Sequence, residues 1–281
     1  MNDRFIRDRV VVRGAGELGS AVMRRLFFAG FQVVALEQPS PSCIRRFVCF
    51  AEAIHEGRTT IEGVTAVRAE SADKAIDIMD DGGLPVLIDA QARSLPVFKA
   101  HFLVDARLLK AGIDTTIDMA PVVIGLGPGL EAGRNCTAAV ETNRGIDLGR
   151  VIYDGACEDD TGLPAPVEGK AADRVLRSPH NGQLRLHRKI GDLVKTGDII
   201  AQVGDKPVVS LIDGVVRGLA REGLEVEEDQ KIGDIDPRGI TDYCFKISDK
   251  SNAVAGGVLE AVLFFRNRGV KRQASVKDET R

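Results

Sequence analysis

The stretch Arg13-Gly14-Ala15-Gly16-Glu17-Leu18-Gly19 sits between a β-branched run, Val10 to Val12, and a segment with apolar residues at helical spacing (Leu18, Ala21, Val22, Leu26, Ala29). A G-x-G-x-x-G pattern is weak alone, but between a strand and a helix it specifies a phosphate-binding turn. The first glycine permits the tight turn, the second lets backbone approach a diphosphate, and the third allows close packing of helix on strand. Main-chain N–H groups free at the helix start then favour an anion. A glycine-rich turn with no ligand is the alternative. Phe31 to Leu36 is apolar again, so the first 40 residues form a strand, a helix and a strand. Glu37 closes that second strand 18 residues after Gly19, where a carboxylate accepts from both ribose hydroxyls and repels a 2′-phosphate. A solvated strand-end carboxylate is the other reading of it.

The pattern continues with a helix from Cys43 to His55, a strand near Val64 to Val67, and a helix from Ser71, as N-cap, to Asp80. Apolar runs at Leu84 to Ile88, Phe102 to Val104 and Val122 to Leu126 complete a set of parallel strands. The expected fold class is therefore α/β, with a Rossmann-like parallel sheet domain over residues 1–150. Asp89 and Asp105 each follow a strand, where open α/β sheets bind ligands; capping a helix or closing a turn is the alternative for both. Gly125, Gly127 and Gly129 form a second glycine-rich turn on the same sheet edge, either an anion nest or a plain strand-to-loop turn. Glu141, Asn143 and Arg144 then supply carboxylate, amide and guanidinium within four positions, as a polar-ligand clamp or a salt-bridged turn. With Gly14, Gly16, Gly19 and Glu37, these residues are the candidate cofactor-binding set. No catalytic residue is identified.

Past Asp154 the grammar changes to short strand-like segments punctuated by Gly, Pro and Asp, which marks a β-rich module over residues 151–240. Setting Gly182 against Gly214 aligns Gly191, Val194, Ile200 and Val203 with Gly223, Val226, Ile232 and Ile235 at a constant offset of 32 residues. Two such halves can interlock around one core. The G-x8-G-x2-V spacing in both halves resembles the biotinyl/lipoyl barrel-sandwich hybrid family. Lys206, followed by Pro207 and without Met neighbours, is expected to be a solvated lysine that carries no swinging cofactor. A closing helix over residues 241–265, apolar at Val254, Val258, Ala261 and Val262, is expected to pack back on the first domain, with residues 266–281 a disordered tail.

A net charge of -3 and pI near 5.9 argue against nucleic acid as a partner. No apolar run approaches the length needed to cross a bilayer, so no membrane role and a cytoplasmic location are expected. The five cysteines (43, 49, 136, 157, 244) are odd in number and free of any C-x-x-C pair, which signals neither a disulfide framework nor a metal bound by side chains. Cys43 stands near Arg45 and Arg46, cations that lower a thiol pKa, with a buried inert thiol as the alternative. The four histidines fall in no triad context.

With GAGELG, SCIRRFVCFAEAIHEG, APVVIGLGPGLEAG, VETNRGIDLGRVI, IDGVVRGL, KIGDIDPR and SDKSNAVAGGVLEAV in order, residues 10–263 resemble the YqeB family, accessory proteins of selenium-dependent molybdenum hydroxylase systems. The Rossmann-type segment is also similar to XdhC-like proteins. The resemblance implies an accessory or maturation factor that binds a dinucleotide or nucleotide ligand, with molybdopterin dinucleotide or NAD as candidates. Its implied partners are a molybdenum hydroxylase or its maturation proteins, with a homo-oligomer also open. A NAD-dependent oxidoreductase and a non-catalytic interaction protein are the alternatives. Ile146 follows Asn-Arg-Gly where the family is expected to carry histidine, so no imidazole role transfers to that position.

Overall fold

Runs of β-branched and aliphatic residues with helices over both faces build the central layer. The computed structural model describes residues 6–109, 111–160, 162 and 166–268. Its first strands are β1 (Ile6–Arg13), β2 (Phe31–Glu37), β3 (Arg58–Ile61), β4 (Val64–Ala69), β5 (Leu84–Ile88) and β6 (Phe102–Asp105). They are followed by β7 (Val122–Leu126), β8 (Glu131–Ala132), β9 (Ala138–Val140), β10 (Val151–Ile152) and β11 (Gly155–Ala156). Nine of them form one sheet in the order β10-β9-β7-β6-β1-β2-β5-β4-β3, and β8 pairs with β11 apart from it.

The strands from β9 to β4 in that order are parallel, but β3 runs antiparallel to β4 and β10 antiparallel to β9. The strands read from apolar runs are parallel to one another as expected, but two that were not read, β3 and β10, run antiparallel at the sheet's edges. The sheet is therefore mixed, which corrects the expected all-parallel Rossmann-like domain. The β3–β4 reversal is made by Glu62 and Gly63, both at positive φ (43° and 84°), as a two-residue hairpin requires.

Helices α1 (Glu17–Phe28), α2 (Ala53–Glu56), α3 (Ala72–Asp80), α4 (Leu95–Phe98) and α5 (Asp249–Asn267) cover the sheet. α1 and α5 share one core with Val10, Val12, Val33 and Val104, while α3 and α4 cover the other face through Ala75, Met79, Leu95 and Phe98. Ser71 caps α3 by accepting the Lys74 N–H at 3.2 Å, and Ser248 caps α5 by accepting the Ser251 N–H at 3.2 Å. The helix expected over 43–55 is instead two 3-10 turns, Arg46–Val48 and Phe50–Glu52, leading into α2. Cys49 is extended, and the next two N–H groups leave the helical pattern for Ser20 Oγ (2.7 Å, from Phe50) and the Ala15 carbonyl (2.9 Å, from Ala51). Tertiary bonds outweigh helix propensity there. α5 runs through Arg266, whose Nε donates to Asp8 at 2.8 Å, so the first two residues of the expected tail are helical; residues 269–281 lie outside the described residues.

The remaining strands are β12 (Val175–Arg177), β13 (Gly182–Leu186), β14 (Leu193–Val194), β15 (Ile199–Val203), β16 (Lys206–Val209), β17 (Gly214–Leu219), β18 (Glu225–Val226) and β19 (Lys231–Asp236). They make two antiparallel sheets, β12-β19-β17-β14 and β16-β15-β13-β18. The repeat places β13, β14 and β15 against β17, β18 and β19, and each half lends its short strand to the other: β14 pairs with β17 and β18 with β13. Leu184, Ile200, Val203, Val216, Ile232 and Ile235 fill the shared core.

The expected Rossmann domain followed by a biotinyl/lipoyl-type module does not describe the chain, because these antiparallel sheets are stitched to the first layer. The Leu219 N–H donates to the Ile44 carbonyl (2.9 Å), Arg46 Nε donates to the Leu219 carbonyl (2.8 Å), and Arg221 bridges Glu52 and Glu56 at 2.6 Å each. Ile44, Arg46, Glu52 and Glu56 lie outside the repeat, which is why the repeat suggested a separate unit. Lys206 is exposed at the first position of β16. Among the described residues no helix is long and apolar enough to cross a membrane.

Candidate functional site

The glycine loop opens β1 onto α1 at the carboxyl edge of the parallel strands. Gly14 has φ +92° and donates its N–H to the Leu36 carbonyl at 2.9 Å. A Cβ on Gly19 would stand 2.0 Å from the Gly14 carbonyl oxygen, so helix and loop touch main chain to main chain. Gly16, the N-cap of α1, faces the other way: a Cβ there meets nothing within 4 Å, and no side chain caps the helix. The first N–H groups of α1 are thus left to whatever occupies the space in front of Gly16.

That space is a cleft of two adjoining cavities, about 470 Å³ and 490 Å³, which share Gly16, Glu17, Ala106, Arg107, Arg217 and Lys231. Each lies in the range of ordinary small-molecule pockets. The first is walled by Glu141, Asn143 and Arg144, by Glu158 to Asp160, and by Arg174 and Lys250. The second is walled by Gly14, Glu37, Cys43, Arg45 and Cys49.

Of the residues read from the sequence, Gly14, Gly16, Glu37, Glu141, Asn143 and Arg144 line this cleft. Gly19 lies behind it as a packing residue. Glu37 accepts the Ala15 N–H at 2.7 Å and the Gln38 N–H at 2.8 Å, leaving each oxygen a further lone pair. Glu141, buried, accepts N–H groups of Thr142, Asn143 and Glu158 at 2.6–2.7 Å and so folds the wall. Asn143 donates to Glu158 (2.6 Å), and Arg144 grips Asp249 in α5 with two bonds of 2.7 and 2.9 Å. Hydrogen bonds from Arg144 hold the Asp249 carboxyl below its ordinary pKa.

Gly125, Gly127 and Gly129 are not among the lining residues; only Pro128 of that turn reaches the wall. Added Cβ atoms would strike Leu130, Thr142 and Ile113, so these glycines serve packing. Asp89 accepts from the Arg93 and Ser94 N–H groups and Ser94 Oγ, which closes the turn before α4. Asp105 is bound by Arg107 and Thr115; burial opposes its charge, but those hydrogen bonds keep its pKa below the usual value.

The residues that sequence reasoning missed come from the β sheets and α5: Arg174, Arg217, Lys231 and Lys250. Arg174 donates to the fully buried Asp234 at 3.2 Å, and Arg217 donates to the same carboxylate oxygen. Lys231 and Lys250 make no ion pair among the described residues. Burial lowers the pKa of Lys231, with Arg174 and Arg217 adding to the effect against Asp234; burial and then Arg144 lower that of Lys250. The cleft thus holds Lys231 and Lys250 at a cost to their charged forms, a condition that a bound anion relieves. A signal existed in the repeat: Lys231 and Asp234 stand where the first half has Ile199 and Gln202, and Arg217 interrupts the apolar strand Gly214–Leu219.

Fold and site together define a mixed α/β protein with a cleft over a glycine loop, lined by cations and carboxylates in equal number. No protein-family model matches the chain. It is 46% identical over 267 residues to the Escherichia coli (strain K12) protein described as uncharacterized protein YqeB, across 95% of this chain and 49% of that one. This homology supports membership of the YqeB family, and the chain spans about half the length of that relative.

Among solved structures, an aspartoacylase family protein from Mesorhizobium loti is 12% identical (82% of this chain, 84% of that one, TM-score 0.25). The ectoine utilization protein EutE (DoeB) from Ruegeria pomeroyi is 14% identical (82% and 85%, TM-score 0.25). A succinylglutamate desuccinylase from Silicibacter sp. TM1040 is 13% identical (82% and 85%, TM-score 0.24). At these scores none lends an activity to this chain.

The names of the solved structures found, aspartoacylase and succinylglutamate desuccinylase, do not match the expected accessory factor for a selenium-dependent molybdenum hydroxylase, and that expectation is withdrawn. The seven motifs behind that expectation form the glycine loop with the start of α1, the 3-10 turns with α2, β7 and its turn, the β9–β10 segment, β17, β19 and α5.

Proposed function

We propose that the chain binds a nucleotide or dinucleotide through its diphosphate, held between Gly16 and the Arg217–Lys231 pair, with one organic arm in each cavity. The observation that carries this reading is the open main chain at Gly16, which both cavities share together with Arg107, Arg217 and Lys231, while Glu17 beside it is paired with Arg45. Backbone N–H groups at a helix start and basic side chains opposite them are complementary to a diphosphate. Two cavities meeting at that point favour a ligand with its charge in the middle. Glu37 sits where one arm would place hydroxyls, and Glu158 where the other would place N–H donors. Native mass spectrometry of freshly purified protein, followed by calorimetry with NAD, ADP-ribose, AMP and inorganic phosphate, tests it. The expected result is tighter binding of the diphosphate-bridged compounds than of AMP. If all four prove inert, or AMP binds as well as NAD, the reading fails.

A further inference from the structure

The first cavity holds more cations than a diphosphate at Gly16 occupies. Its carboxylates are already engaged or stand in water. Glu17 accepts from Arg45 Nη1 (3.0 Å) and Ser251 Oγ (3.3 Å), and Glu141 accepts three main-chain N–H groups. Glu158 accepts from Asn143, and Glu158, Asp159 and Asp160 are all exposed, where solvent screens them. Two of the cations differ. Arg174 is buried, with 7% of its surface exposed; one N–H goes to Asp234 at 3.2 Å, and its Nε donor has no partner. Lys250 is half-buried and lines the cavity, and among the described residues its amine makes neither an ion pair nor a hydrogen bond. Donors withdrawn from water without an acceptor cost free energy that a bound acceptor returns.

The fold fixes where Lys250 stands. It is the second residue of α5, whose start is capped by Ser248 accepting the Ser251 N–H at 3.2 Å. Arg144, on the wall that Glu141 folds, grips the preceding Asp249 with two bonds. A Cβ on Gly257 would strike the Gly149 carbonyl, so α5 meets that wall main chain to main chain. Arg174 closes the 3-10 turn Ala172–Arg174 and is held by Asp234 of β19. Both cations therefore line the first cavity from anchored elements.

We propose that the ligand arm in the first cavity ends in a carboxylate received by Lys250 and Arg174, which makes the ligand an acid-tailed dinucleotide. The inference rests on the diphosphate reading and adds a second anion at the far end of one arm. An ammonium and a guanidinium N–H give a carboxylate one charge-assisted hydrogen bond to each oxygen. A phosphate dianion fits less well, because Glu158, Asp159 and Asp160 line the same cavity and repel the extra charge. A neutral amide also fits less well: its oxygen serves one cation, and its NH2 turns donors toward the other.

NAD and nicotinic acid adenine dinucleotide share the diphosphate and both sugars and differ only in the amide or carboxylate that ends one arm. Calorimetry with the whole protein is expected to find the acid bound about tenfold or more tighter than the amide, the worth of one charge-assisted hydrogen bond. Lys250→Met is expected to remove most of that preference and Lys250→Arg to keep it. In wild type the acid, and not the amide, is expected to shield Lys250 from acetic anhydride, read by peptide mass mapping; this measurement stands where Lys250→Met does not fold. Equal binding of the two dinucleotides, a preference that survives Lys250→Met, or acetylation of Lys250 unchanged by the acid would each overturn the acid tail and leave the diphosphate reading standing. Failure of both dinucleotides to bind would overturn both.

Discussion

Gly16 and Gly19, three residues apart, separate a binding requirement from a packing one. An alanine Cβ at Gly19 would lie 2.0 Å from the Gly14 oxygen and 3.0 Å from its carbonyl carbon. Both partners are main chain, so no rotamer relieves the overlap, and α1 must move off β1 by about 1 Å or more to restore van der Waals separation. α1 carries Leu18, Val22 and Leu26 into the core, and that shift loosens all three. Overpacking of this kind costs about 1–3 kcal/mol, and a main-chain clash belongs at the upper end. For a domain of this length a loss of about 3 kcal/mol lowers Tm by roughly 6–12 °C. Gly16, by contrast, has φ -66° and ψ -170°, ordinary for any residue, and open space where a side chain would go. Gly16→Val gives up only an N-cap preference, about 1 kcal/mol or less. Its isopropyl group nevertheless fills the floor shared by both cavities. Affinity for a diphosphate-bridged ligand should fall at least tenfold, about 1.4 kcal/mol. Urea unfolding followed by circular dichroism measures the first effect and calorimetry the second. A Gly16→Val protein that binds like wild type, or one as unstable as Gly19→Ala, would refute the assignment of the two roles.

Asp234→Asn removes the one carboxylate that both Arg174 and Arg217 contact, leaving Asp236 at 3.7 Å from Arg217 as partial compensation. Destabilisation of about 3 kcal/mol is expected, and inorganic phosphate should restore part of it by mass action; equal loss in chloride and phosphate at matched ionic strength would contradict an anion site. Lys231 and Lys250 have pKa values below the ordinary lysine value, so the free protein binds fewer protons at high pH than an unfolded chain does. An anion raises both again, so ligand affinity should be greatest below the lowered values and decline as pH rises through them, with proton uptake on binding in that window. Calorimetry in buffers of different ionisation enthalpy detects the uptake, and Lys231→Met should diminish it.

The glycine loop, α1, β2 and the long apolar strands were legible because each rests on local chemistry: a turn that needs glycine, a helix with a one-sided stripe, runs buried on two faces. Ser71 caps α3 for the same local reason. β3, β9 and β10 were not legible as strands, because β3 is largely polar and the other two are only three and two residues long. The 43–55 segment misled because its apolar spacing is helical while its N–H groups are claimed by Ser20 and Ala15. Glu141 and Arg144 were found as polar residues after a strand. Their partners, the main chain of 142–158 and Asp249, are set by tertiary contacts that spacing does not encode.

The larger omission was half of the site, and the repeat explains why. Two equivalent 32-residue halves suggest a unit that satisfies itself, and the apolar positions do so: Val194, Val203, Val226 and Ile235 meet in one core. The departures from equivalence are where the unit stops being self-contained. Lys231 and Asp234 stand where the first half has Ile199 and Gln202, and both face the cleft that the first layer completes. Asp234 holds two guanidinium groups at the cleft, and Lys231 stands on the wall shared with Gly16. A glycine loop alone offers backbone donors on one side of a ligand and water on the other, where a diphosphate keeps most of its hydration. Closing that side with partly dehydrated cations strengthens every charge interaction inside the cleft. The asymmetry between the halves is therefore the mark left by the cleft on the repeat, and substituting Lys231 toward its first-half counterpart would take one cation from the cleft while leaving the β core intact.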